Sequence, residues 1–155
     1  MTPRGQTIPD DLREAAGRWL DDLEQKVSAI QSNANRLPEA DAHMLAEATD
    51  DTMNTLRFAR AILAGEVALG QRPDSRWVPV KQPSPALAAI IHSNGGHLGG
   101  TPHDLVELAK ASLPEEQRRP FLLMIADVLG SVFTNLSRAV WDDYPEYAPP
   151  GWDTN

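Results

Sequence analysis

"DDLREAAGRWLDDLEQKVSAI", residues 10–30, decides the fold. Leu12, Ala16, Trp19, Leu23, Val27 and Ile30 recur in it at spacings of four, three, four, four and three. A helix turns about once every 3.6 residues, so this spacing gathers all six on one side. Asp10 and Asp11 stand at the start, where carboxylates meet the positive end of the helix dipole. The stretch "SNANRLP", residues 32–38, then stops the helix with Asn and Pro.

The pattern resumes at once. Pro38 suits the first turn of a second helix. Ala42, Leu45, Thr49, Met53, Leu56, Ala59 and Leu63 form its apolar side, which lasts until Gly65 or Gly70. Each of the two helices would be about 30–40 Å long at the usual rise. A short link between long helices predicts an antiparallel hairpin.

Further along, "PFLLMIADVLGSVFTNLSRAVW", residues 120–141, is the most hydrophobic segment. Leu122, Ile125, Leu129, Val132, Leu136 and Val140 line one side, widened by Phe121, Val128 and Phe133. It predicts a central helix that Pro120 begins or kinks. Two short helices precede it. One starts at Ser84-Pro85, a side-chain cap followed by proline in the first turn, and ends at Asn94-Gly95-Gly96. The other starts at Thr101-Pro102 with Asp104 behind it, and Ser112-Leu113-Pro114-Glu115 repeats the signal.

Between the hairpin and these helices lies "GQRPDSRWVPVKQPSP", residues 70–85. Its four prolines exclude a helix, and Pro79 limits "RWVPV" to an edge strand at most. It is expected to cross the bundle, pinned by Trp77. The predicted fold is therefore all-α. A hairpin of two long helices packs with a long hydrophobic C-terminal helix and two short ones. Residues 1–9 are expected to be a flexible arm, 10–141 the helical bundle, and 142–155 a tail.

Composition narrows the function. The chain has 155 residues, 41% hydrophobic and 23% charged, as a single globular domain does. It has no cysteine, so a metal would need His and carboxylate ligands. A net charge of −8 argues against nucleic acid and for a basic partner. No leader-like segment and no membrane-length apolar stretch is recognised, which predicts a cytoplasmic protein without a membrane partner.

The segment "HSNGGHLGGTPHD", residues 92–104, carries three histidines. His92, His97 and His103, with Asp104, are the candidate ligands for a divalent metal, and they motivate an alternative reading as a metal-dependent hydrolase. The pair His103-Asp104 resembles metal-dependent phosphohydrolases of the HD type; His43 and Asp127 are the loose counterparts for the rest of that pattern. Glu47-Ala48-Thr49-Asp50 resembles half of the magnesium pattern of all-α nucleotide pyrophosphohydrolases, whose first half is missing from residues 10–30. "GGHLGG…LVEL" resembles a short segment of thiamine-diphosphate enzymes, but their Gly-Asp-Gly motif is absent. The acids of the hairpin, Asp51 among them, are expected on solvated positions.

The tail, "WDDYPEYAPPGWDTN", holds four of the nine aromatic residues. Trp141, Tyr144, Tyr147 and Trp152 among acids form a candidate partner-binding strip. The leading expectation is a small non-catalytic interaction, regulatory or assembly protein. It would act through helix-face association, as a homodimer through the hairpin, with the tail as a second contact.

Overall fold

The computed structural model describes residues 8–96, 98 and 100–152. The described residues form an all-α bundle with five principal helices and no strand. Helices α1 (Asp10–Ser32) and α2 (Glu39–Leu63) are joined by a short 3-10 turn, Ala34–Arg36. They run antiparallel, since Arg13 near the start of α1 donates to the Leu63 carbonyl at the end of α2. Helices α3 (Pro85–Gly95) and α4 (His103–Ser112) pack on α1, and α5 (Glu115–Val132) packs on α2 and α4. A π-helical turn, Phe133–Ser137, carries α5 into α6 (Arg138–Asp143) without a break.

The core side of α1 is Leu12, Ala16, Leu20, Leu23, Val27 and Ile30, all buried. Leu20 takes the place expected for Trp19, which is only half-buried. The reason is that α1 is covered by α2 and by α3 and α4. Leu20 is fully buried under these neighbours, and the larger indole of Trp19 stays partly exposed. Ile8, assigned to the flexible arm, is 2% exposed and joins the core. Residues 1–7 of that arm lie outside the described residues.

The C-terminal helix is the longer of the two alternatives: it starts at Glu115, at the Ser112–Glu115 signal, so Pro120 lies inside its second turn rather than opening it. Further on, the π turn inserts an extra residue. Phe121, Ile125, Val128 and Val132 line the core before it, and Leu136 and Val140 after it. The continuous helix Glu115–Asp143 is long and apolar enough to cross a membrane by length and composition, although half of its apolar window is buried in the bundle. This corrects the expectation that no such stretch exists. Asp127 interrupts the run without making it polar overall.

Of the three start signals, one works by side-chain capping. Ser84 Oγ accepts the Leu87 N–H at 3.2 Å and donates to Asp41 at 2.9 Å. Pro102 and Pro114, not Thr101 and Ser112, directly precede α4 and α5, and neither helix has a side-chain cap. Ser84→Ala is therefore expected to cost about 1 kcal/mol, the usual value of a lost cap. A thermal melt should show a drop of roughly 2–4 °C. An unchanged melt would show that the Ser84 contacts carry no net energy.

Candidate functional site

The crossover, residues 70–84, is coil rather than strand, and it is fastened along its length. Gly70 turns it with φ 105°, a left-handed value that favours glycine. Arg72 then grips Asp127 of α5 with two hydrogen bonds, at 2.7 and 2.5 Å. Three and four residues further, Ser75 Oγ and the Arg76 N–H donate to the Asp51 carboxylate at 3.2 and 2.9 Å. The Val80 N–H donates to the Asn135 carbonyl at 2.9 Å, inside the π turn. Finally Tyr144 Oη donates to the Pro83 carbonyl at 2.9 Å.

Asp51 is the centre of this arrangement. It is 1% exposed, which corrects the expectation that it is solvated. Asn135 Nδ2 also donates to it, at 2.9 Å, and reaches Thr52 and Ser131 as well. Burial pushes the Asp51 carboxyl up, but hydrogen bonds from Arg76, Asn135, Ser75 and Trp77 outweigh it and hold it below its ordinary value of 3.8. The group stays charged because its donors replace the lost water.

Trp77 follows this anchor directly. Its φ is 53°, a left-handed backbone rare for a bulky side chain. The bonds of Ser75, Arg76 and Val80 on either side fix that conformation. They hold the indole against α5 at Gly130, where an added Cβ would come within 3.1 Å of the ring. Glycine at 130 thus makes room for it. Trp77 is nevertheless 47% exposed, the large hydrophobic side chain left most open to solvent among the described residues.

The same side of α5 continues the apolar surface. Residues 119, 122, 123, 126 and 130 fall on one stripe by helical spacing. Leu122, Leu123 and Ala126 line an open groove of about 500 Å³, bordered by Glu115, Arg118 and Arg119. No other part of the described chain covers this groove. A larger cleft of about 650 Å³ lies beyond the π turn, where Lys81 and Arg138 mix with Asp142 and Asp143.

The expected partner-binding rings are brought together on the bundle itself. Trp141 is 5% exposed. Trp152 meets Trp141 and Phe133 edge-on, at centroid distances of 5.3 and 5.6 Å. Tyr147 stacks on His92 at 4.3 Å, and Tyr144 bonds the crossover. Through residue 152 the tail is thus packed in cis.

The expected metal ligands are distributed differently. His92 is half-buried under Tyr147. His103 and Asp104 are exposed at the start of α4, in a hollow that Arg18 and Leu108 line and His92 does not. His97 lies outside the described residues. Among the described residues, no three His, Asp or Glu side chains are placed to hold a metal ion. The counterparts of the HD pattern have other partners: His43 bonds Glu47 at 2.9 Å, and Asp127 bonds Arg72. Asp50 of the pyrophosphohydrolase-like pair accepts from Gln31.

Asp51, Asn135 and the Trp77–Gly130 contact do not stand out in the local sequence pattern. One signal was present. Thr49, Thr52 and Thr55 recur on the buried side of α2, a polar run about Asp51 in which Thr52 Oγ1 accepts from the same Asn135 amide. Comparison with known families, curated proteins and solved structures gives no match.

Proposed function

We propose that this chain is a small, cytoplasmic, non-catalytic helical interaction protein, and that its working surface is the outer stripe of α5 with Trp77. One observation carries the reading. An apolar groove beside a half-exposed indole lies uncovered on a chain otherwise rich in surface charge. Exposed apolar patches of this kind mark association sites. Aromatic side chains held rigidly at such patches supply much of the contact energy.

The reading moves the surface away from the places the sequence suggested. The outward side of the hairpin carries ion pairs, Glu14 with Arg18 and Asp22 with Lys26, rather than apolar groups. The tail rings face inward. What remains apolar and open is α5.

Photocrosslinking in the native host tests this. A benzophenone amino acid replaces Ala126, which is exposed in the groove, or Glu14, which is exposed on the charged side of α1. Discrete adducts are expected from position 126 and none from position 14. No adduct at 126, or equal labelling at both, would overturn the reading.

A further inference from the structure

The stripe on α5 contains both halves of a contact. The far edge of the Trp77 ring rests on Gly130 while about half of the residue stays open as the knob, and the groove at Leu122 and Leu123 is a hole of the same chemistry. Gly130 comes four residues after Ala126, and Leu122 four before it. Each is therefore about 6 Å along the helix from Ala126 at the usual rise. A two-fold axis through Ala126 exchanges these positions.

We propose that the occupant of this surface is a second copy of the same chain, packed antiparallel through α5, with each Trp77 seated in the Leu122–Leu123 groove of the other copy. The inference rests on the preceding reading that the α5 stripe is the working surface. An isologous contact of this kind requires a patch that complements itself, and a knob and a hole equidistant from one residue meet that requirement. Ala126 is small enough to let the two helix backbones approach at the axis.

Charge supports the same arrangement. The chain carries −8 overall, so copies repel unless the contact is locally different. Here the border of the groove carries both signs, with Glu115 beside Arg118 and Arg119, so each copy brings an acid and bases to the contact. Antiparallel pairing sets Arg119 of one copy beyond the indole of the other, within reach of a cation–π contact, and keeps the arginine pairs apart. At the ends of the stripe, Glu115 precedes Ala126 by about as many residues as Arg138 follows it. Arg138 is 65% exposed and only 3.9 Å from its own Asp142, a loose pairing that leaves it available to a carboxylate across the axis.

One helix stripe and two indoles make a contact toward the low end of interface size, below ~1,200 Å² in total. The dimer is accordingly expected to dissociate on dilution. Sedimentation equilibrium of the full chain, from micromolar to submillimolar concentration, should show a mass rising from 17.0 kDa toward twice that value. Trp77→Ala and Ala126→Glu should each weaken association by about tenfold or more, as loss of a central anchor does. Position 126 is exposed and helical, so Ala126→Glu keeps the fold, and unchanged circular dichroism checks this.

A chain that stays at monomer mass over the whole range would overturn the proposal. So would a dimer indifferent to both substitutions, because it would form elsewhere. The benzophenone at position 126 separates the two readings. Adducts to a different protein, from a chain that is monomeric by mass, would end self-association and leave the interaction surface standing. No adduct at all would end both.

Discussion

Asp51→Ala is expected to destabilise the protein by about 3–4 kcal/mol, because it leaves Asn135, the Ser75 hydroxyl and the Arg76 and Trp77 amides without their acceptor. For a chain of this size that corresponds to a fall in melting temperature of roughly 10 °C. Asn135 is 1% exposed, so water cannot replace the carboxylate at its amide. Ser75 is only half-buried and recovers part of its loss by hydration. Asp51→Asn should fall between the two, since it keeps one acceptor oxygen but brings a donor that faces Asn135. Hydrogen exchange gives the local readout. The amides of Arg76 and Val80 should lose protection first, as the crossover lifts from α2 and the π turn. A melting temperature within a degree or two of the parent would show that the network contributes no net stability.

The same carboxyl predicts a pH dependence with a definite sign. The native state holds Asp51 below its ordinary value of 3.8, so the folded chain takes up this proton at lower pH than the unfolded chain. The contribution is complete above that ordinary value. It is lost as the pH falls below it and through the native value. Asp51→Asn has no such titration. The stability gap between parent and Asp51→Asn should therefore be constant near neutrality and narrow on acidification below about pH 4. Urea denaturation across that range measures it. A gap that widens on acidification would mean that burial, not the donors, governs this carboxyl.

The helices were legible in the sequence where one chain segment decides its own structure. The three- and four-residue spacings in residues 10–30 and 42–63 gave both arms of the hairpin, and Ser84-Pro85 gave the start of α3 within a residue. What was not legible depends on a second segment. Periodicity gives a helix a buried side but not the neighbours that cover it, so Trp19 and Leu20 could not be ranked until α3 and α4 were in place. Asp51 looks like a surface acid because its donor Asn135 is 84 residues away. Trp77 was expected to pin the crossover, yet nothing local indicates that Gly130 leaves the space for it. The π turn is equally silent. "SVFTNLS" reads as ordinary helix, and it is the pairing of Asn135 with Asp51, and of its carbonyl with Val80, that gives the extra residue a role. The tail rings carry the same ambiguity, since an aromatic strip near a chain end has one composition whether it packs on its own bundle or on a partner.

Removal of residues 144–155 resolves that ambiguity by experiment, and a large loss is expected. Tyr144, Tyr147 and Trp152 are all half-buried, and an aromatic of this size contributes about 1–2 kcal/mol at partial burial. Truncation also uncovers Trp141 and one side of Phe133, and takes the stacked Tyr147 from His92. It breaks the bond from Tyr144 to Pro83, which holds the far end of the crossover. Together these predict a loss of about 4–5 kcal/mol and a fall in melting temperature of 10 °C or more. The near-ultraviolet dichroism of the packed indoles should collapse before the helical signal does, because α1 and α2 keep their own interface. Trp152→Ala should give roughly a third to a half of the truncation effect, since that ring touches both Trp141 and Phe133. If the truncated chain melts within two degrees of the full chain, the rings are not part of the folding unit, and the tail regains its standing as a surface for a partner. If it melts as expected, the aromatic residues at 141–152 are occupied by the bundle, and the apolar contact available to another molecule is the one on α5.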